Sequence, residues 1–207
     1  MELLIIRHGR PERVDPAADS PAQPPDPGVE ADPGLTAVGV AQSEAMAQWL
    51  RDEDIDAVYT SPLRRAVETA APLERVLGLE ARVEPGVVEF DAGNAYIPME
   101  DLKQDKAQWH RAMAEFEERD YREFRQTVRT AIEGIIAAHR GHRVAVVCHA
   151  GVINAWAAEI LGIERTIFFG PEYTSINRFR ASSDGVHSLI ALNESAHLRA
   201  DRLHRMP

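Results

Sequence analysis

Cysteine, basic charge and long apolar runs are all scarce in this chain of 207 residues. The one cysteine, Cys148, rules out an internal disulfide framework and suits a reducing cytoplasm. The net charge of −10 argues against nucleic acid as a partner, because that binding is driven by a basic surface. No apolar run approaches the length that crosses a membrane, and the chain begins with a strand-like run rather than a signal peptide. We therefore expect a cytoplasmic protein without a nucleic-acid or membrane partner.

The sequence also lacks several common phosphate-binding and hydrolytic motifs. It has no glycine-rich phosphate loop followed by lysine and no Gly-x-Ser-x-Gly turn. Residues 54–58 (DIDAV) fit the pattern of magnesium-dependent haloacid-dehalogenase-like phosphatases, but they precede a strand, whereas the aspartates of those enzymes end one. His139 and His142 have no thiol or carboxylate set at ligand spacing. We therefore expect no zinc site and no cofactor.

Short strand-like runs alternate with segments of helical periodicity. The run RVAVVC (143–148) is uninterrupted and β-branched, which is typical of a central strand buried on both faces. The runs SINRFRA and VHSLIALN, separated by SSDG, resemble a hairpin. The alternation predicts a single α/β domain over residues 1–207, built as a three-layer α/β/α sandwich around a mostly parallel sheet. The other predicted strands are LLIIR (3–7), DAVYT (56–60) and ARVEP (81–85).

Helix signals fill most of the intervening sequence. Ser61 is expected to cap the helix after the second strand, with Pro62 at its first position and its end near Gly78. Residues 98–140 are mainly helical by pattern, with a buried stripe at Phe124, Val128, Ile132 and Ile136. The helix at 35–50 is expected to bury the apolar stripe Leu35, Val38, Ala41, Ala45 and Trp49. All three tryptophans, Trp49, Trp109 and Trp156, are expected to fill core.

Three segments depart from this pattern. Residues 11–34 form a proline-rich loop, which suggests a flap beside a site. Residues 91–125 are the expected insertion, a helical segment that caps the carboxyl edge of the sheet. Residues 194–207 are polar and are expected to form a flexible tail.

Two predicted strands end in a histidine and small residues. The first runs into His8-Gly9, and the strand 143–148 runs into His149-Ala150-Gly151. Because the carboxyl ends of parallel strands share one edge of a sheet, the two histidines are expected to meet there. Arg7 lies beside His8, and Arg64 and Arg65 lie in the first turn of the helix after the second strand. The sequence thus predicts a small basic pocket, suited to a phosphate monoester, in an acidic protein.

Five ordered blocks carry a resemblance to the histidine phosphatase superfamily, in its phosphoglycerate-mutase-like branch. Arg7-His8-Gly9 resembles the family's first signature. The later blocks resemble its Leu-Thr-x-x-Gly-x-x-Gln helix start, its Ser-x-Leu-x-Arg-Ala segment, its Glu-x-x-x-Gly segment and its second histidine. In this chain those blocks are GLTAVGVAQ (34–42), YTSPLRRAVETA (59–70), VVEFDAG (87–93) and VVCHAG (146–151).

The resemblance implies a role for each matching residue. His8 would accept the phosphoryl group as a phosphohistidine, and Glu89 would be the general acid and base. Arg7, Arg65 and His149 would hold the transferred group and offset its charge. Ala150, where a glycine is common, would also lie at the substrate. The family's arginine precedes alanine, which selects Arg65 over Arg64, whereas Asp91 remains an alternative to Glu89.

The expected activity is metal-independent hydrolysis of a small phosphorylated metabolite. One alternative is a cofactor-dependent phosphoglycerate mutase that uses the same phosphohistidine, and another is a catalytically weak module that binds a phospho-ligand. The natural substrate stays open among sugar phosphates, phosphoglycerates, nucleotides and phosphopeptides, because Arg10-Pro11-Glu12-Arg13 departs from the family's usual substrate contact. A homodimer is a family-level expectation.

Overall fold

A computed structural model describes residues 1–13, 32–92, 104–182 and 184–199. Its strands are β1 (Glu2–Arg7), β2 (Ala57–Thr60), β3 (Arg82–Val83), β4 (Arg143–Cys148), β5 (Ile176–Ala181) and β6 (His187–Glu194). Its α-helices are α1 (Ala37–Leu50), α2 (Arg64–Leu77), α3 (Lys106–Glu118), α4 (Arg122–Ala138) and α5 (Ala150–Leu161). Two short 3-10 turns lie at Pro85–Val87 and Ala196–Leu198.

The described strands form one mixed sheet in the order β3-β2-β4-β1-β5-β6. The first four are parallel, and β5 and β6 add an antiparallel hairpin beside β1. The α/β class, the mostly parallel centre and the terminal hairpin are therefore confirmed. β1 and β4 are neighbours in register from Glu2 opposite Arg143 to Arg7 opposite Cys148, so the residues that follow them emerge side by side.

Helices cover both faces of the sheet, as predicted. Successive residues of a strand point to opposite faces, so β1 sends Leu3 and Ile5 into one core and Leu4 and Ile6 into the other. The first core is closed by α4 and α5, and it contains Trp156 and Cys148; the second is closed by α1 and α2. The central strands β1 and β4 are almost completely buried on both faces, which explains their continuous apolar runs.

The predicted buried face of α1 was wrong. Trp49 is 53% exposed, whereas the helix buries Gly39, Gln42 and Ser43 along with Met46 and Leu50. The reason is a backbone contact that hydrophobic periodicity does not report: the Arg10 N–H donates to Gln42 Oε1 (2.9 Å). A Cβ at residue 39 would collide with the Arg10 backbone, so the small and polar face must turn inward. Trp109 is half-buried, and Trp156 is buried as expected.

The predicted cap of α2 was also wrong. The helix begins at Arg64, two positions later than expected, and the first exposed backbone N–H donates to the Asp32 carboxylate (2.9 and 3.0 Å). Ser61 lies outside the helix and contacts His149 instead. The end of the helix is as predicted, because Gly78 takes the left-handed conformation (φ 66°).

The irregular segments have mixed outcomes. Residues 195–199 are not a frayed tail, since the 3-10 turn Ala196–Leu198 buries His197 and Leu198. Most of the proline-rich loop 11–34 and part of the insertion 91–125 lie outside the described residues. α3 falls within that insertion, but α4 starts before its predicted end and belongs to the core layer. A single domain over 1–207 stays a prediction.

Candidate active site

Five side chains predicted from the sequence converge at the carboxyl edge of the parallel strands. His8 follows β1, His149 follows β4, and their ring centroids lie 5.2 Å apart. Arg65 comes from the first turn of α2, and Glu89 follows the 3-10 turn Pro85–Val87. His8, Arg65 and His149 are each at most 2% exposed. Burying a charged arginine is costly unless it is paired, and Arg65 lies 3.9 Å from the Asp32 carboxylate.

The His8 ring is held in one neutral tautomer. Its Nδ1 lies 2.7 Å from the Gly9 carbonyl oxygen, which can only accept, so Nδ1 carries the proton and Nε2 keeps the lone pair. Burial, followed by the electrostatic effect of the neighbouring His149, Arg65 and Arg7, lowers the pKa of His8 well below its ordinary value. The ring is therefore unprotonated at Nε2 at neutral pH, which is the form that a nucleophilic role would require.

The backbone after His8 leaves no room for a side chain. The Gly9 N–H donates to Thr69 Oγ1 (2.8 Å) on α2, and a Cβ at this position would lie 2.6 Å from the Gly39 carbonyl oxygen on α1. The glycine of the Arg-His-Gly signature thus lets the end of β1 pass between two helices. The Gly9 backbone is thereby held in place, and its carbonyl oxygen binds the His8 ring.

Arg7 is oriented by the loop that precedes β5. Its Nη1 donates to the Pro171 carbonyl oxygen (2.7 Å), and its guanidinium lies over the Tyr173 ring at 3.9 Å. The Tyr173 ring also lies 5.9 Å from the His8 ring. Sequence reasoning missed Tyr173, since no motif marks it.

The choice of Arg65 over Arg64 agrees with their placement. Arg65 points inward and is 2% exposed, with its Nη1 3.9 Å from an Asp32 carboxylate oxygen. Arg64 is largely exposed and forms an i,i+4 ion pair with Glu68 (2.7 Å) on the surface. Only Arg65 of this pair is placed to contact a ligand at His8.

Ser61 fixes the tautomer of His149. The Ser61 hydroxyl accepts from the Leu63 N–H (3.3 Å) and lies 2.8 Å from His149 Nε2. The completely buried Ser61 hydroxyl has no other acceptor for its proton among the described residues, so it donates to Nε2, and the His149 proton resides on Nδ1. That Nδ1 is buried and has no hydrogen-bond partner among the described residues. Burial, Arg65 and Arg7 lower the pKa of His149, which leaves a neutral donor for a phosphoryl oxygen.

Glu89 is held by the start of α5. Its Oε2 accepts from the Gly151 N–H (2.9 Å), and its Oε1 accepts from the Phe90 N–H (3.2 Å). Burial, followed by the charge of Asp91, raises the pKa of Glu89 to about 7. A carboxyl group with this pKa exchanges a proton readily near neutral pH, as a general acid and base must. Burial also raises the pKa of Asp91, which Arg65 opposes, but Glu89 has the defined contact with α5.

Gly151 is a requirement that the sequence did not single out. We expect Gly151→Ala to lower kcat about 100-fold, because a 1 Å displacement of a reacting group has that effect. A Cβ there would overlap Glu89 Oε1 and lie 2.7 Å from Phe90 Cδ1. Steady-state kinetics would measure the loss. Gly134→Ala on α4 is the matched control, because a Cβ there meets nothing; equal activity of both variants would contradict the assigned contact.

Ala150 is the first residue of α5, whose amino end faces the same edge. Its predicted substrate contact can come only from its backbone N–H, since a methyl side chain binds no phosphate. The helix dipole favours an anion at this position. His149 is the residue before the helix and supplies no side-chain cap to it.

The sequence alternatives for metal or thiol chemistry lie elsewhere. Asp56 accepts from the Arg143 N–H (2.8 Å) at the amino end of β4, the edge opposite His8. Burial raises the pKa of the Cys148 thiol, which packs in the core as predicted. Within the described ranges, no three His, Cys, Asp or Glu side chains are grouped so that they could hold a metal ion. In the same part of the chain, no helix has the length and apolar character to cross a membrane.

Comparison with known proteins assigns the family. The sequence profile of the histidine phosphatase superfamily (branch 1) matches residues 3–194, and the chain belongs to this family. An uncharacterized Mycobacterium tuberculosis protein is 33% identical over 56% of this chain, a match that spans 60% of that relative's length. A probable phosphoglycerate mutase of Yersinia enterocolitica is 24% identical over 79% of this chain and 76% of its own. The fold also matches a mycobacterial glucosyl-3-phosphoglycerate phosphatase (TM-score 0.72, 20% identity), covering 94% of this chain and 99% of that one.

Proposed function

We propose that the chain is a phosphomonoesterase that works through a phosphohistidine on His8 and needs no metal. The observation that carries this is the state of His8: a buried, neutral imidazole whose Nδ1 proton is bound by Gly9 and whose Nε2 is therefore nucleophilic. Two arginines and His149 Nδ1–H surround it and supply the positive charge and donors that phosphoryl transfer requires.

In the first step, His8 Nε2 attacks phosphorus as the bond from phosphorus to the ester oxygen breaks. The leaving oxygen takes a proton from the Glu89 carboxylic acid, which yields an alcohol, a Glu89 carboxylate and the phosphohistidine. In the second step, Glu89 takes a proton from water, and the water oxygen attacks phosphorus. The N–P bond breaks, phosphate leaves and the neutral His8 returns. Glu89 suits both steps because its pKa is about 7.

The substrate class is a small phosphorylated metabolite. Arg7, Arg65, His149 and the backbone at Ala150 would bind the phosphoryl group, which leaves the rest of the substrate to other residues of the pocket. A phosphoglycerate mutase is the alternative, since it uses the same intermediate and its transfer differs only in the acceptor: a substrate hydroxyl instead of water.

We expect the protein to release phosphate from p-nitrophenyl phosphate in excess EDTA and to form an acid-labile, base-stable phosphoenzyme during turnover. A second assay with 3-phosphoglycerate separates hydrolysis from isomerisation. Isomerised phosphoglycerate with little free phosphate would favour the mutase. Binding of phosphate without turnover of any ester would favour a binding module, and activity abolished by EDTA would refute the metal-independent mechanism.

A further inference from the structure

Thr174 occupies an unusual backbone conformation directly behind the nucleophile. It is completely buried and has φ 55°, which non-glycine residues rarely adopt and β-branched ones least of all. Its N–H donates to the His8 carbonyl oxygen (3.3 Å), and its neighbour Tyr173 contacts Arg7. Strain of this kind persists only where surrounding contacts maintain it.

One of those contacts comes from the end of the described chain. His197 Nε2 lies 3.0 Å from Thr174 Oγ1. The Thr174 hydroxyl has one proton, which it donates to the Tyr173 carbonyl oxygen (2.7 Å), so Oγ1 accepts from His197 Nε2–H. His197 is 4% exposed, and burial lowers its pKa to about 4, which keeps this donor arrangement at neutral pH.

Burial of the His197 ring costs free energy that packing alone does not require. Its Nδ1 is buried and has no hydrogen-bond partner among the described residues, a cost that an apolar side chain of similar size would avoid. The next residue, Leu198, is 1% exposed and supplies ordinary packing for the same 3-10 turn. Both residues pack in the core, but only the His197 side chain forms a hydrogen bond to Thr174, so that bond is the reason for a histidine at this position.

We infer that His197 is a positioning residue for the phosphate-binding arginine. It holds Thr174 in the left-handed conformation, which presses the Tyr173 ring under the Arg7 guanidinium and keeps the Thr174 N–H on the His8 carbonyl. This inference rests on the proposed function, because it concerns the same phosphate site. Residue 197 itself lies outside that site and touches neither the reacting atoms nor Arg7.

The test compares His197→Phe, which keeps the ring volume but loses the donor, with His197→Gln, whose amide nitrogen can replace Nε2–H. We expect His197→Phe to weaken orthovanadate binding about tenfold and to raise KM about tenfold, with a smaller effect on kcat. This is the size of effect that follows when a buried hydrogen bond is lost and its partner is left unsatisfied. His197→Gln should recover most of both. Calorimetry gives the vanadate affinity without any need for turnover.

Two controls separate positioning from stability. Leu198→Ala should lower the melting temperature at least as much as His197→Phe while leaving vanadate affinity near that of the parent protein. Thr174→Ala should weaken vanadate binding as His197→Phe does, and the double variant should lose little more than either single one, because both changes remove the same contact.

Unchanged vanadate affinity in His197→Phe, or a loss matched by Leu198→Ala, would overturn the inference. So would additive effects of Thr174→Ala and His197→Phe. Failure of the proposed function has a different signature: the parent protein would bind vanadate tightly and His197→Phe weakly, yet neither would release phosphate from any ester.

Discussion

Replacing His8 with alanine will lower kcat/KM for p-nitrophenyl phosphate by at least about 10⁴-fold, since removal of a nucleophile leaves only the contribution of the surrounding electrostatic groups. The His8 imidazole lies beside Arg7, Arg65 and His149, and its proton on Nδ1 leaves the Nε2 lone pair to act as the proposed nucleophile. The phosphoenzyme should be absent from this variant. Phosphate binding should persist, because the arginines remain.

The matched control is His142→Ala, which removes an exposed histidine at the opposite edge of the sheet. It should retain the parent activity. Hydrolysis that survives in His8→Ala at more than about one hundredth of the parent rate would mean that water or another residue attacks phosphorus directly, and the covalent mechanism would be wrong.

Replacing Glu89 with glutamine should have an effect that depends on the leaving group. Glutamine keeps the volume and can still accept from the Gly151 N–H, but it cannot donate a proton to the ester oxygen. We expect kcat to fall about 10³-fold for an alkyl phosphate and about tenfold or less for p-nitrophenyl phosphate, whose leaving group needs little protonation. Rates for a series of aryl and alkyl phosphates would measure this dependence. Equal losses across the series would assign the acid to another group, and Asp91→Asn is the variant to compare.

The raised pKa of Glu89 also sets the sign of two pH effects. In the proposed mechanism, phosphorylation of His8 needs the carboxylic acid of Glu89, so we expect this step to slow as pH rises through about 7 and Glu89→Gln to remove that dependence. Burial raises the folded-state pKa above the ordinary value of 4.5, so the acid form stabilises the fold fully below pH 4.5 and this contribution is lost as pH rises through 7. The melting temperature of Glu89→Gln should therefore fall less than that of the parent between pH 5 and pH 8.

The parts of this site that follow strand ends were predictable, and those that depend on distant contacts were not. His8 and His149 could be placed together because two parallel strands present their carboxyl ends at one edge, and Arg65 followed from its position before an alanine in a helix start. The sequence predicted that Ser61 caps α2, but in the structure its hydroxyl contacts His149 instead. The carboxylate of Asp32 binds the first backbone N–H of α2, a contact over 32 residues that no local motif indicates.

The loop before β5 and the turn at His197 were invisible for a different reason. Tyr173 and Thr174 belong to no periodic segment, and His197 lies in a polar stretch that resembles a tail. Their relation to His8 is created by the fold over long sequence separations. The buried face of α1 was predicted wrongly for a similar reason. The Arg10 backbone approaches Gly39 closely, and this contact decides which face turns inward, whereas periodicity detects only the hydrophobic stripe.

The contacts at the base of segment 11–34 have a consequence for how this protein can tolerate change. Pro11 and Leu35 form an isolated antiparallel bridge, and the Glu12 N–H donates to the Gly34 carbonyl oxygen (2.9 Å), so the two ends of the segment lie side by side. Just inside that base, Asp32 is tied to the first turn of α2, one residue before Arg65. Sequence can therefore be gained, lost or exchanged between residues 14 and 31 at small entropic cost while the phosphate-binding groups stay in place. Changes of sequence between these two ends are therefore separated from the contacts that hold His8 and Arg65.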